Sequence, residues 1–204
     1  MTKKIKILTV LFILSIISIN INAQVNFGVK AGFNLANMNS NTNSKSIPTF
    51  HAGIIADAAI NDFLSVQPNL LFTGKGAKYD FVGFTSITHI YYVELPILIK
   101  AHANLGGIDI YALAGPAIGF GLAANNKSSL TDESVKLTFG SGLEDSFKPL
   151  DLGVMFGAGI ETESGLLFGV SYDLGLSDMN PHNLGGVMKN GVFGISIGYL
   201  LNKN

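Results

Sequence analysis

The sequence predicts an all-β fold, an eight-stranded antiparallel up-and-down transmembrane β-barrel. Three observations predict it. Long stretches alternate apolar residues with polar or very small ones at a period of two, which a helix cannot produce. Long polar connections alternate along the chain with short ones, the rhythm of outer-membrane barrels. The chain also opens on an export-type segment.

That segment has Lys3, Lys4 and Lys6 as a positive start, an almost unbroken apolar run over residues 7–19, and the polar boundary Asn20-Ile21-Asn22-Ala23-Gln24. The order predicts a secretory signal peptide over residues 1–23, cleaved after Ala23, with residues 24–204 forming one barrel domain. A retained anchor helix is the alternative, but the apolar run is shorter than the roughly 20 residues a span needs.

The eight predicted strands follow in order. Residues 25–37 set Val25, Phe27, Val29, Ala31, Phe33 and Leu35 against Asn26, Gly28, Lys30, Gly32, Asn34 and Ala36. Residues 50–60 set Phe50, Ala52, Ile54, Ala56, Ala58 and Ile60 against His51, Gly53, Ile55, Asp57 and Ala59. Residues 63–75 place Leu64, Val66, Leu70 and Phe72 opposite Ser65, Gln67, Asn69, Thr73 and Lys75. Residues 89–101 place Tyr91, Val93, Leu95, Ile97 and Ile99 opposite Glu94, Leu98 and Lys100. Residues 108–123 are apolar on both faces, so the alternation does not orient them. Residues 150–161 oppose Leu152, Val154, Phe156, Ala158 and Ile160 to Asp151, Gly153, Met155, Gly157, Gly159 and Glu161. Residues 166–176 oppose Leu166, Phe168, Val170, Tyr172 and Leu174 to Gly169, Ser171, Asp173 and Gly175. Residues 191–201 oppose Phe193, Ile195, Ile197 and Tyr199 to Gly194, Ser196 and Gly198.

Segments this long suit tilted membrane strands, which need about 9–11 residues. The predicted long loops are 38–49, 76–88, 124–149 and 177–190; the turns at 61–62 and 162–165 are tight, and 102–107 is intermediate. Within the third long loop, residues 135–139 have the pattern of a hairpin continuing beyond the membrane. Pro68, Pro96 and Pro116 fall inside strands, where each removes a ladder donor, and local bulges are expected there. Tyr91, Tyr92, Tyr172 and Tyr199 are candidates for interfacial aromatic girdles.

Composition narrows the class. Mean hydropathy is +0.39, only 13% of residues are charged, and glycine is abundant at 24. A soluble periplasmic barrel would carry its apolar face inward and a charged face outward; here the non-apolar face is rich in glycine. All 13 basic residues are lysines and the formal net charge is −1, which argues against nucleic-acid binding. The absence of cysteine excludes disulfides and thiolate metal sites.

Specific stretches then carry a resemblance. Phe27-Gly28-Val29-Lys30-Ala31-Gly32-Phe33-Asn34-Leu35-Ala36, the Glu-x-Pro-x-x-x-Lys strand Tyr92-Val93-Glu94-Leu95-Pro96-Ile97-Leu98-Ile99-Lys100, and the glycine-rich Ala114-Gly115-Pro116-Ala117-Ile118-Gly119 and Asp151-Leu152-Gly153-Val154-Met155-Phe156-Gly157-Ala158-Gly159 occur in order. Together they resemble the PorT-like outer-membrane β-barrel proteins common in Bacteroidetes, across essentially the whole mature chain. The resemblance implies a Gram-negative outer-membrane location, contact with outer-membrane lipid, and insertion by the barrel-insertion machinery. The chain departs from the family habit of ending on a large apolar residue by running on to Asn202-Lys203-Asn204. The secretion role of the family's namesake is not transferred.

The functional candidates are the ionisable residues on the inward face: Lys30, Asp57, Lys75, Glu94, Lys100, Asp151, Glu161 and Asp173. Charges in a narrow lumen must pair or stay hydrated. Lys30, Glu94, Lys100, Asp151 and Glu161 are expected to form a salt-bridge network that plugs the barrel; a narrow pore for small solutes is the alternative. Catalysis is not expected. His51, His89, His102 and His182 lie in separate segments without metal spacing, and no nucleophile elbow accompanies them, which leaves a lipid-modifying enzyme as the weaker alternative. No glycine-rich nucleotide loop opens a helix, so no cofactor is expected. The four long loops are the expected surface for extracellular or envelope protein partners.

Overall fold

The computed structural model describes residues 25–39, 44–131, 133–142, 144–182 and 186–201. The predicted signal peptide, the centre of the first long loop and the last three residues lie outside the described residues. Ten strands form: β1 (Val25–Asn39), β2 (Ser44–Lys45), β3 (Ile47–Asn61), β4 (Leu64–Phe81), β5 (Phe84–Asn104), β6 (Ile108–Ser128), β7 (Ser134–Leu137), β8 (Leu150–Thr162), β9 (Leu166–Gly175) and β10 (Lys189–Leu200).

Eight of them close a ring. β1 pairs with β3, then β4, β5, β6, β8, β9 and β10 follow in order, and β10 returns to β1, every pair antiparallel. Closure matters because hydrocarbon offers backbone groups no partner, and a closed barrel leaves no edge. β2 and β7 stand outside the ring, pairing only with β4 and β6.

The alternation sorts the two faces as predicted. On β1, Phe27, Val29, Phe33 and Leu35 are exposed outward, while Asn34, Ala36 and Met38 are buried within. β6, which sequence could not orient, turns Leu113, Ala117, Gly119 and Gly121 inward. Its two faces read alike because the inward Leu113 and Ala117 are themselves apolar and pack in the lumen. The register with β5 shifts where Tyr91 pairs with Ala123 and Tyr92 with Gly121, so Leu122 is an extra residue. Leu122 and Ala123 both face out, and beyond them the inward parity passes to Ala124.

Three expectations are corrected. The prolines do not bulge: the register is the same on both sides of each, and the pairing merely lapses at Pro68 toward β3, at Pro96 toward β4 and at Pro116 toward β5. Each missing N–H costs one ladder link, and no residue is inserted. Tyr92 is not in a girdle; it points inward and is fully buried, whereas Tyr91 stacks outside on Phe72 at 5.7 Å. The stretch 76–88 is not a loop. β4 and β5 continue through it to a turn at Val82-Gly83, where Gly83 takes a φ of 87° that suits glycine. Beyond Lys75 the inward face turns apolar, with Ala77 and Ile90 buried, while Lys78 and Asp80 stand on the outward face, so the apolar and polar positions exchange and the strand read as loop.

The short turns, at 62–63, 105–107 and 163–165, lie at the end where Gly28 pairs with Leu200; in outer-membrane barrels this end is periplasmic. β5 and β6 each run 21 residues from it, against 10 for β9. The expected hairpin at 135–139 forms as β7, so β2, β4, β5, β6 and β7 continue as a sheet above the outer side. Val170, midway along β9 and 46% exposed, faces lipid. Replacing it with Lys should destabilise the barrel by about 2–4 kcal/mol, read as a lower urea midpoint in phospholipid vesicles.

Candidate functional site

The lumen is filled in layers. Nearest the short-turn end, Lys100 on β5 extends Nζ to Asp57 Oδ2 on β3 at 2.7 Å and also bonds Glu161 on β8. Gln67 donates from Nε2 to the same Asp57 oxygen at 3.2 Å, and the Lys100 ammonium lies 5.1 Å from the Tyr111 ring centre. Ile55, Leu167 and Leu200 pack together beside this layer, with Tyr111 against them.

A second layer centres on Lys75 of β4. Its Nζ meets Glu94 Oε1 at 2.7 Å, Asp151 Oδ2 at 3.1 Å and Asp173, carboxylates contributed by β5, β8 and β9. Asn190 donates to Asp151 Oδ2 at 2.8 Å and Ser177 to Asp151 Oδ1 at 3.1 Å. All four charged side chains are at most 5% exposed. Desolvating so many charges is costly, and only dense mutual pairing offsets it.

Between the layers, Leu98, Leu113, Ala117 and Met155 form an apolar cluster. Beside it, Asn34 and His51 are linked through Oδ1 and Nδ1 at 2.7 Å, and Asn34 donates to Thr73 Oγ1 at 3.3 Å. Lys30, Asn34, His51, Glu94 and Asp173 line a cavity of about 20 Å³, room for a single water molecule. His51 Nε2 and Asp173 Oδ1, both buried without a protein hydrogen bond, belong to residues lining that space.

The outer mouth is sealed by apolar side chains. Met38, Ala77, Ile90, Tyr92 and Ala124 from the strands pack with Phe147 and Met179 from the two loops that follow β7 and β9. Phe139 fits because Gly121 has no side chain: a Cβ there would stand 2.3 Å from the Phe139 ring. Phe139 meets Tyr92 edge-on at 6.5 Å between ring centres. Lys148 N donates to Met179 O at 2.9 Å and ties the two loops together, while Met179 N donates to Met188 O at 2.8 Å within the second loop.

All five residues of the predicted network are placed in the lumen, but not as one network. Glu94 and Asp151 join Lys75, Glu161 joins Lys100, and Lys30 makes no ion pair among the described residues. Lys75, Asp57 and Asp173 complete the clusters; the sequence marked them as inward-facing but not as members. The loop residues Phe139, Phe147 and Met179 carried no sequence signal for their place in the mouth. The charged pairs predict a contrast. Lys75→Met strands three buried carboxylates and should cost about 3–5 kcal/mol, while Lys30→Met, which breaks no ion pair, should cost far less; urea midpoints of the refolded variants measure both.

A sequence model of the family described as outer membrane protein beta-barrel domain matches residues 20–180. Among solved structures, Neisserial surface protein A (NspA) is similar at a TM-score of 0.51 and 14% identity, over 87% of this chain and 99% of that one. Ail, the attachment invasion locus protein of Yersinia pestis, aligns at a TM-score of 0.47 and 15% identity, over 87% of this chain and 99% of that one. OprG from Pseudomonas aeruginosa aligns at 0.47 and 12% identity, over 88% and 97%. No curated protein matches the sequence. The NspA likeness speaks to the fold alone.

Proposed function

Because this chain belongs to the outer membrane protein beta-barrel domain family, we propose that it is a small outer-membrane barrel with a closed lumen that works through its extracellular surface rather than as a pore. The observation that carries this reading is the sealed interior. Two ion clusters, the apolar cluster between them and the loop-built plug leave a cavity of about 20 Å³. Hydrated solutes need far more room than one water molecule.

The finer expectations belong to the same proposal. The four motifs support a PorT-like member of the family, exported by the signal peptide at residues 1–23, inserted by the barrel machinery and held in outer-membrane lipid. A non-catalytic role goes with it: His51 Nδ1 is bonded to Asn34 at 2.7 Å, beside a space too small for a substrate. Partners would meet the protein at the outer ends of β4 to β7 and the loops after β7 and β9.

Planar-bilayer recording of the purified, folded protein tests the closed lumen. The expected trace is silent; sustained single-channel steps from the folded, heat-modifiable form would favour the narrow pore instead.

A further inference from the structure

The highest part of the extracellular sheet is apolar. Val82, at the β4–β5 turn, is fully exposed, Leu130 beyond β6 is 67% exposed, and Phe81 is 46% exposed. Phe81 and Phe84 stack at 4.8 Å between ring centres. The two tips are joined, since Thr85 N donates to Ser129 Oγ and Ser129 N to Thr85 O, each at 2.9 Å. Phe81, Val82, Phe84 and Leu130 thus form one crest on a braced base. It stands seven strand residues beyond outward-facing Tyr91, roughly 20 Å along the strand and clear of the protein's own apolar band.

We infer that this crest is a lipid-insertion tip that enters an apposed membrane, the bilayer of another cell or vesicle. The inference rests on the extracellular-surface reading above. The crest presents its apolar side chains outward, with Val82 fully exposed at its tip. Its backbone is paired up to Phe81 and Phe84, so entering an apolar medium exposes few unsatisfied polar groups. Lys45 and Lys78, paired across β2 and β4, stand about 10 Å behind the tip. A tip buried about 5–10 Å would bring them to the headgroup phosphates. They share one carboxylate, Asp80, at 2.7 and 3.5 Å, which leaves the pair net positive. The hydrogen bond from Lys45 holds Asp80 below the ordinary carboxylate range, and the same bond raises Lys45.

The test uses the full barrel in nanodiscs, mixed with separate phosphatidylcholine–phosphatidylglycerol vesicles and floated. The native protein should float with the vesicles. Val82→Asp with Leu130→Asp should weaken this by about tenfold or more, and Lys45→Ala with Lys78→Ala should reduce binding to that seen on pure phosphatidylcholine. Both pairs of changes are on exposed side chains, and heat-modifiable gel mobility confirms that the variants fold. The chain has no tryptophan, so Val82→Trp supplies a lone reporter, whose emission should shift to the blue and be quenched by brominated lipid in the added vesicles. An unshifted reporter, or flotation unchanged by the aspartates, overturns the proposal. If the aspartates abolish attachment to cells while leaving flotation untouched, the partner is a protein: the lipid proposal fails and the extracellular reading stands. If neither attachment nor flotation responds, both fail.

Discussion

The Lys75 ammonium is the tie on which the interior depends. It stands on β4 and reaches Asp173 on β9, four places away around the eight-strand ring, while also holding Glu94 on β5 and Asp151 on β8. Opposite walls of the barrel are thereby drawn to one point in a dry interior. Lys100 repeats the arrangement nearer the short-turn end, spanning β3, β5 and β8. Hydrocarbon outside requires the ring to close for the sake of its backbone; the paired charges inside determine that the closed ring has little free space.

The same tie organises what lies above it. Asp151 is held by Lys75 and also accepts from Ser177 and Asn190, residues at the two ends of the loop between β9 and β10. That loop delivers Met179 to the mouth, where Tyr92 donates its hydroxyl to the sulfur at 3.6 Å. Tyr92 also stands over Lys75, 5.4 Å from Nζ to ring centre. Charge pairing in the middle and apolar packing at the mouth are therefore one contiguous structure. The sheet above the mouth rests on it, and any contact made at the crest would be made from a rigid support.

The wall of the barrel was legible because it answers to a local rule. Period two writes itself into residues 25–37 as Val-x-Phe-x-Val-x-Ala-x-Phe-x-Leu, and lipid outside with crowding inside enforces that rule along every strand. It fails where the environment changes. Above the ion layers the inward face turns apolar at Ala77 and Ile90 while Lys78 and Asp80 stand on the outward one, so that stretch read as loop; on β6 the inward Leu113 and Ala117 are apolar as well, so both faces looked alike. The charge clusters were only half legible. Parity identified each inward charge, but Lys75 meets partners 19, 76 and 98 positions away. That depends on the stagger between strands, which no local pattern encodes. Lys30 shows the limit: the right face, but Asn34 and His51 for neighbours instead of a carboxylate.

The central claim, a lumen closed to solutes by paired charge and loop packing, is tested most directly by thiol accessibility. The chain contains no cysteine, so Ser171→Cys places a single thiol beside the cavity between the two ion layers, and Ser129→Cys places a control on the exposed crest. With the folded protein in vesicles and a small, charged, membrane-impermeant thiol reagent, the account predicts rapid labelling at 129 and none at 171 until the barrel is unfolded. Labelling at 171 at a rate comparable to 129 in the folded protein would contradict it.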